Sequence, residues 1–594
     1  MALKNRKEMA PEYMWDFSHI FADKAVWEKE LAEATAAVGE LASLKGALCT
    51  DEDSLKAGLD KIFAAGRKVE LVYLYAFLHK ESDNGEPEYQ DMAGRAVNLY
   101  VAFSSAISFL NPEILAAGED KLDAFMKSEK LALYRHTLHD IARSAPHTLD
   151  EKGEMMLAML GDAAGAPQDA FGMLESVDMT FPAIHDENGE EVSLSHGNFI
   201  VYLNSADEKV RLEAYEKYFG EFKKYINTFA AMYAGSVKFD TYFANVRGFN
   251  SACEAALHSS NVPVSVYDSL IEAVHDGLAD MRKYTDLRAR ALGMDKIGMH
   301  DLYCPIIPGV KNEYTFEEAC ELVKKACEPL GETYAALLDR AFSERWIDVY
   351  ENRGKTTGAF SCGVYGVHPY VLLNFTGTLD DVFTLAHELG HAMHSYFSCE
   401  AQDYVNHDYK IMVAEVASTV NEVLLTKYLL KTETDKDRRA YVLNHFLEGF
   451  RTTVFRQTLF AEFERRAHDM YKAGTPLTAD SLNALYRELN LLYYSGVEVA
   501  ELHSIEWARI PHFYRAYYVY QYATGFCSAV AIAQGIVDTG DASDYLAFLK
   551  TGGSDYPIEE LKITGVDLTS PEPVRRALKV FGESIDEMAA MILD

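Results

Sequence analysis

Apolar residues recur at three- and four-residue spacing along most of the 594-residue chain. This spacing limits the possible fold more than any other feature, because it predicts amphipathic helices that each bury one face. It is clearest in residues 27–44, 55–78 and 316–342. A chain of this length also exceeds the size of a single hydrophobic core, so we expect at least two lobes. The predicted fold class is mainly α, with two helical lobes.

Strand signals are few. Asn188-Gly189 supplies the two residues of a tight hairpin turn between two short runs. Four glycines between residues 354 and 366 precede the β-prone run Tyr370–Phe375, which predicts a loop followed by a strand. A small β element is therefore expected just before residue 378.

Two acidic turns, at residues 145–153 and 186–190, are the candidate domain boundaries. No internal repeat or low-complexity linker separates further parts of the chain. We predict an N-terminal helical region at 1–200, with the short hairpin near its end, and a second domain at 201–594.

The formal net charge of −35 opposes binding to nucleic acid or to anionic membranes, because both partners need a basic surface. The eight cysteines are scattered and form no close-set framework, which indicates reduced thiols in a cytoplasm. We find neither an N-terminal apolar leader nor a later uncharged stretch long enough to cross a bilayer. A cytoplasmic protein without nucleic-acid or membrane partners is expected, and its oligomeric state stays open.

The stretch from Thr378 to His394 carries the main chemical signal. Thr378 and Asp381 have the spacing of a capping box, which predicts that a helix begins there. On that helix His387 and His391 lie one turn apart, with about 6 Å between their Cβ atoms, so two imidazoles can bind one ion. The spacing places Glu388 beside the first histidine, where its carboxylate faces a water rather than the metal.

A third protein ligand is expected on a second amphipathic helix at 412–422, where Glu415 is the candidate. Taken alone, Glu415 would be an ordinary acid on a solvated helix face; its pairing with the His-Glu-x-x-His helix favours a ligand. Glu422 lies two turns later, where it could accept a hydrogen bond from a ligand histidine. His394 is expected beside the site or at the surface, not as a ligand. One Zn²⁺ per chain is the predicted cofactor.

The sequence resembles the oligoendopeptidase F branch of the thimet-oligopeptidase-like family of zinc metallopeptidases. Five segments carry the resemblance in the same order: YMWDFSHIFADKAVWEKEL, TLDDVFTLAHELGHAMHS, VAEVASTVNE, IPHFYRAYYVYQYATG and GGSDYP. The resemblance implies a nearly all-α protein whose lobes enclose a deep channel, oligopeptide substrates, and a catalytic domain at 201–594. It places the metal ligands at His387, His391 and Glu415 and the catalytic acid at Glu388.

The resemblance also implies a loop histidine followed by tyrosines that contact the substrate. The histidine falls on His512. The competing tyrosines are Tyr514, Tyr517, Tyr518, Tyr520 and Tyr522. Three-residue spacing favours Tyr517 with Tyr520, and Tyr518 could replace Tyr517. We assign His512 and Tyr520 as catalytic donors and Tyr517 and Tyr518 as substrate contacts, against the alternative that this stripe is aromatic core.

The run Tyr370–Phe375 could be an edge strand that pairs with an extended peptide through backbone hydrogen bonds. His368 and Tyr370 are then candidate substrate contacts. A buried strand preceded by an ordinary loop explains the same residues equally well.

Together these residues predict a zinc endopeptidase that cuts oligopeptides, with Glu388 as the base that activates a water. Three other functions remain open. An exopeptidase would need a charged subsite for the substrate terminus, a peptide-binding protein would not need Glu388, and a scaffold would use both histidines as core residues.

Overall fold

A computed structural model of the chain describes residues 3–307 and 313–593. Helices hold 71% of the residues and strands 2%, which confirms the predicted mainly α class. The chain forms two compact units, each built from three segments. Unit 1 is Met1–Thr148, Lys311–Tyr428 and Ile532–Gly565, and unit 2 is Leu149–Val310, Leu429–Ala531 and Val566–Asp594.

The first three helices of unit 1 pack around Trp27, which is fully buried and donates its indole N–H to the carbonyl of Val72 at 3.0 Å. The α-helices of unit 1 are Lys24–Leu41, Glu52–Ser82, Pro87–Ala106, Leu110–Ala116, Glu119–Lys127, Arg135–Ser144, Phe316–Ala326, Glu332–Ser343, Leu379–Ala401, Ser543–Phe548 and Pro557–Lys562. Two helices, Ile411–Thr432 and Tyr520–Thr539, contain residues of both units.

The interior of unit 2 is rich in aromatic side chains, such as Tyr233 packed on Phe463 and Phe513. Its α-helices are Glu151–Met173, Phe199–Leu203, Glu208–Lys224, Ile226–Val246, Ala252–His258, Val264–Asp276, Leu278–Ala291, Lys436–Gly449, Arg456–Lys472, Ala479–Tyr493 and Glu572–Ile592.

The compact units differ from the domains proposed from sequence. The change from unit 1 to unit 2 after Thr148 falls within the first of the two acidic turns. Residue 200 lies inside a segment of unit 2, and the domains at 1–200 and 201–594 stay a prediction. The chain enters each unit three times, and local sequence patterns do not encode this arrangement.

The predicted hairpin is present, since Ile184–His185 pairs antiparallel with Glu191–Val192. The predicted two-residue turn is wrong, because residues 186–190 connect the strands and, of Asn188 and Gly189, only Gly189 takes a positive φ, of 77°. A three-stranded sheet lies in unit 1. Its central strand Tyr370–Leu372 runs parallel to Ile347–Asp348 and antiparallel to Phe360–Cys362. The expectation that Tyr370–Phe375 forms an edge is therefore wrong, because its strand is paired on both sides.

The N-terminal segment covers one side of this sheet. Trp15 is 2% exposed, and its indole N–H is shared between the carbonyls of Trp346 at 3.1 Å and Val371 at 2.9 Å. The backbone N–H of Val349 donates to the carbonyl of Tyr13 at 3.0 Å. The strand Phe360–Cys362 is the other edge of the sheet.

One segment of the described residues, Pro87–Ala116, is long and apolar enough to cross a membrane by length and composition alone. The expectation concerned uncharged stretches, and this segment carries Glu88, Asp91, Arg95 and Glu113, so the expectation stays a prediction. Only 17% of its most apolar window is buried. Core helices of soluble proteins pass the same test, so the segment is weak support for a membrane span.

Candidate metal centre and active site

The metal helix, Leu379–Ala401, carries both histidines of the His-Glu-x-x-His motif. It begins as predicted: the Thr378 hydroxyl accepts the N–H of Asp381 at 3.1 Å, and the Asp381 carboxylate accepts the N–H of Thr378 at 2.9 Å. One turn separates His387 from His391, and their Nε2 atoms lie 3.2 Å apart. Both rings therefore point to a common position.

The acidic helix, Ile411–Thr432, brings a carboxylate to that position. Oε2 of Glu415 lies 3.6 Å from Nε2 of His387 and 3.9 Å from Nε2 of His391. These three are the only group of His, Cys, Asp or Glu side chains in the described residues whose ligand atoms could hold a metal ion.

The two helices come close because Gly390 has no side chain. A Cβ on Gly390 would lie 2.5 Å from Cα of Ser418 and 2.6 Å from the carbonyl oxygen of Ala417, distances that real Cβ atoms do not reach. Asn421 adds a polar contact by donating to the carbonyl of Ala386 at 3.0 Å. Glu415 is thus positioned by backbone packing.

The spacing of the three donors fits zinc. Ligand atoms that lie about 2.0–2.1 Å from a tetrahedral zinc are about 3.4 Å from one another. The observed separations of 3.2, 3.6 and 3.9 Å need only small side-chain adjustments to match. Two imidazoles and one carboxylate are also a ligand set of catalytic zinc sites.

Charge around the donors favours a cation. Burial lowers the pKa of His387, but the hydrogen bond with Glu422 and the charges of Glu388 and Glu415 outweigh it and raise that pKa to about 9. Burial and the neighbouring His387 lower the pKa of His391 to about 3. Three carboxylates, Glu388, Glu415 and Glu422, thus act on His387 and favour a positive charge where the donors meet.

Glu388 is 7% exposed and follows the first histidine directly. Burial raises its pKa to about 7; Glu415 and Glu422 add to the rise, whereas His387 opposes it. A carboxylate with a pKa near neutral pH is well matched to both accepting and donating a proton.

Glu422 contacts Nδ1 of His387 through Oε1, as predicted, and so fixes the orientation of that ring. His394 is fully buried and stacks on Tyr409 with ring centroids 3.7 Å apart. Neither ring nitrogen of His394 has a hydrogen-bond partner among the described residues. It lies beside the site in the core and not at the surface.

His368 and Tyr370, the proposed substrate contacts before the metal helix, pack against other side chains of the protein. Tyr370 is 0% exposed and belongs to the core cluster around Trp15. His368 stacks on Trp346 with centroids 4.8 Å apart, and its Nε2 lies 2.7 Å from Nδ1 of His19. Burial lowers the pKa of His368 to about 4. The Tyr370 side chain has no surface left for a peptide.

A cavity of about 360 Å³ lies at the start of the metal helix. It is lined by Gly358, Ala359, Leu373, Asn374, Phe375, Asp381 and Thr384. Asn374 donates to two loop carbonyls, while its Oδ1 is buried without a partner among the described residues. The cavity adjoins the edge strand Phe360–Cys362 through Gly358 and Ala359.

The tyrosine-rich segment belongs to unit 2 and divides into two sets. Tyr517 and Tyr520 are 3% and 2% exposed, and both pack on Tyr267 with centroids 5.5 and 5.3 Å away. Tyr517 also has a φ of 56°, a strained backbone for a bulky residue. Both side chains belong to the core of unit 2.

The half-buried set is His512 with Tyr518 and Tyr522. The His512 ring lies nearly parallel to that of Tyr518, 6.2 Å away, and meets Tyr522 edge-on at 6.0 Å. The Arg515 guanidinium sits 4.1 Å from the centre of the Tyr518 ring. Burial and Arg515 lower the pKa of His512.

Sequence reasoning missed the structural parts of the site. Gly390 and Asn421 were not singled out, although a glycine between two ligands of a helix is a signal of close backbone approach. Tyr522 was only one of five competitors, and nothing local distinguishes it from Tyr520.

A mainly helical protein with two histidines, a carboxylate and a buried glutamate arranged in this way is a metallopeptidase. Sequence profiles described as Peptidase family M3 and Oligopeptidase F match residues 201–580 and 113–181. The chain is 41% identical to Oligopeptidase PepF of Bacillus subtilis, covering 100% of this chain and 89% of that one.

Solved structures agree with the sequence matches. A structure from Chlamydophila abortus superposes with a TM-score of 0.94 at 33% identity, covering 99% of this chain and 100% of that one. Oligoendopeptidase-F from Enterococcus faecium gives a TM-score of 0.74 at 36% identity, over 95% and 98% of the two chains. The chain therefore belongs to peptidase family M3, in its oligoendopeptidase F branch, and is a metallo-oligoendopeptidase.

Proposed function

We propose that this chain is a zinc-dependent endopeptidase that hydrolyses internal bonds of short oligopeptides, with His387, His391 and Glu415 as ligands and Glu388 as general base. The observation that carries the proposal is the convergence of three donors at 3.2–3.9 Å beside a buried glutamate. The names of the relatives, an oligopeptidase and an oligoendopeptidase, support peptides as substrates.

When bound, zinc polarises the scissile carbonyl and lowers the pKa of a water to about 7. Glu388 takes the proton of the attacking water and then delivers it to the leaving amine. Its raised pKa suits both steps, because a carboxylate that titrates near neutral pH neither holds nor releases the proton too strongly. Glu422 keeps His387 oriented throughout.

Peptide binding next to the metal helix is assigned to the edge strand Phe360–Cys362. An extended peptide can add to an open edge through main-chain hydrogen bonds, and pockets then select its side chains. The cavity of about 360 Å³ beside Gly358 and Ala359 supports a pocket for one such side chain. His368 and Tyr370 act here as supports of the sheet.

His512 is proposed to donate a hydrogen bond to the oxyanion that forms during attack, assisted by a tyrosine hydroxyl. Removing one such donor typically slows turnover about 10²–10³-fold. The initial assignment was Tyr520, but its 2% exposure favours Tyr518, which shares the half-buried cluster with His512.

The endopeptidase assignment predicts that a peptide with acetylated N-terminus and amidated C-terminus is cut at an internal bond. Neither blocked end offers a charge to an exopeptidase subsite, so the cut positions, read by mass spectrometry, separate the two activities. A folded protein that contains the sequence of the test peptide should survive the same incubation. Cleavage confined to unblocked peptides would make the enzyme an exopeptidase.

The donor assignment predicts a large fall in kcat for Tyr518→Phe and His512→Ala, with a smaller change in KM, because the hydrogen bond acts in the transition state. Tyr520→Phe is the matched comparison, since it removes a hydroxyl from the same segment inside the core. Zinc content is measured for all three. A fall in kcat for Tyr520→Phe alone would restore the initial assignment, and full turnover in all three would place the donor elsewhere.

A cytoplasmic location, the absence of nucleic-acid and membrane partners, and the loading of zinc over other divalent ions stay predictions.

A further inference from the structure

The interior of unit 2 holds a network of charged side chains that the peptidase chemistry does not use. Glu506 accepts hydrogen bonds from the Arg456 guanidinium and from the Tyr486 hydroxyl, each at 2.6 Å. Glu448 accepts from Arg451 at 2.6 and 2.9 Å and from Arg288 at 3.0 Å. Every acid in this network therefore already has arginine partners.

The arginines outnumber the acids. Among the described residues, Arg288, Arg451, Arg456 and Arg509 form ion pairs only with Glu448 and Glu506, which leaves two positive charges in excess. The side chains of Arg288 and Arg451 are 2% and 1% exposed, and those of Arg456 and Arg509 are 13% and 23% exposed. Buried charge without a partner is costly, and this excess occurs in a chain whose net charge is −35.

A cavity of about 20 Å³ opens among these side chains. Its polar wall is Tyr215, Tyr303, Arg451, Arg456, His503, Glu506 and Arg509, and the remainder is apolar. Nε2 of His503, a residue 4% exposed, lies 3.1 Å from Oε2 of Glu506. The single carboxylate of this wall is therefore shared between His503 and the arginines.

The pKa of the Tyr303 hydroxyl indicates the electrostatic potential inside the cavity. The Arg451 guanidinium lies 4.7 Å from the centre of its ring. Burial raises the pKa of the Tyr303 hydroxyl, but Arg456 and Arg451 outweigh burial and the net shift is downward. Buried tyrosines elsewhere in unit 2, such as Tyr233 and Tyr267, have raised pKa values. Negative charge is favoured at this place.

We propose that the cavity of unit 2 lined by Arg451, Arg456, Arg509, Tyr303 and His503 binds a monatomic anion, which is chloride in ordinary solution. About 10–15 Å³ is enough for one water-sized guest, so the cavity admits one small ion. Carboxylates, phosphate and sulfate need several times that space. A single chloride offsets one of the two excess charges at the place where Arg451, Arg456 and Arg509 line the cavity.

The site stands next to a segment with a proposed catalytic role. Glu506 and Arg509 belong to the 3₁₀ helix Glu501–Arg509, which is followed directly by the turn Pro511–Tyr514 that carries His512. Holding the first element in place fixes where the second begins. An effect of chloride on turnover therefore rests on the proposed role of His512, whereas anion binding itself does not.

The first test is diffraction from crystals of the zinc-loaded enzyme grown in sodium bromide, with data collected at the bromine absorption edge. The expected result is an anomalous peak inside the cavity, within contact distance of Arg451 and Tyr303. Density for water alone, without an anomalous peak, overturns the proposal.

The second test replaces chloride stepwise by gluconate, which is too large for the cavity, at constant ionic strength and in the absence of substrate. A ligand that binds only the folded state raises Tm, and the rise grows with the logarithm of ligand concentration above Kd. Here we expect a rise of roughly one to a few degrees. Arg451→Gln should remove the chloride dependence, because it removes one of the two excess charges at the cavity. The variant should still fold, since Glu448 keeps Arg288 and Tyr284 as partners.

Arg282→Gln is the matched control, since its side chain is 62% exposed on the surface of the same unit. This variant should keep the full chloride dependence. Equal Tm values for the unaltered enzyme in chloride and gluconate contradict the proposal, as does an equal salt response in Arg451→Gln. The anomalous peak and the chloride dependence of Tm are both measured without peptidase activity. They can therefore be interpreted even if the proposed function fails. Chloride-dependent kcat in the unaltered enzyme would extend the effect to His512.

Discussion

Glu388→Gln should lower kcat/KM for peptide cleavage by about 10²–10⁴-fold, the range for loss of a general base, while zinc content and Tm stay unchanged. The amide has nearly the shape of the carboxylate but cannot accept a proton. Glu388 is 7% exposed and its pKa is raised to about 7 by burial, so a neutral side chain is tolerated at this position. The measurement combines steady-state kinetics, metal analysis and thermal unfolding.

Glu400→Gln is the control for this substitution. Glu400 lies on the same metal helix, Leu379–Ala401, but its side chain is exposed. It should keep full activity. If Glu388→Gln also keeps near-normal turnover with zinc bound, another group serves as the base and the assignment fails.

The second large effect is loss of the metal. His391→Ala and Glu415→Ala should each release zinc, because each removes one of three protein ligands. Glu422→Gln should retain the three ligands but bind zinc about 10–100-fold more weakly, the usual cost of losing the partner that orients a ligand histidine. Competition with a chelator of known affinity ranks the three variants.

Full zinc occupancy in Glu415→Ala would show that the acidic helix does not supply a ligand. Glu400→Gln serves again as the control and should bind zinc as tightly as the unaltered chain. If it loses zinc too, the losses reflect damage to the helix and not removal of ligands.

The helices and the grouping of His387, His391 and Glu415 could be predicted from sequence because their signals are local. Three- and four-residue spacing marks a buried helix face, Thr378 and Asp381 mark a helix start, and the motif spacing places His387 and His391 on one side. Glu415 followed from chemistry, since two histidines need a third donor. Asn188-Gly189 marked the position of the hairpin for the same reason, because a glycine that can take a positive φ, as Gly189 does, is a local turn signal.

The remaining features depend on contacts between distant segments. Tyr370–Leu372 is central because both Ile347–Asp348 and Phe360–Cys362 pair with it. Nothing in a short apolar run shows how many neighbouring strands it has. The burial of Tyr520 depends on Tyr267, a partner far away in sequence. The interleaved units have the same origin, since chain order alone does not show which segments return to which core.

The close approach at Gly390 also links metal supply to folding. In the unfolded chain His387 and His391 are still close in sequence, but Glu415 has no fixed place near them. On the proposed zinc assignment, the metal prefers the state in which Gly390 packs against Ala417 and Ser418, and part of its binding free energy becomes folding free energy. We then expect a cell that runs short of zinc to hold less folded enzyme as well as less active enzyme, and the unfolded fraction to be exposed to the cell's own proteases.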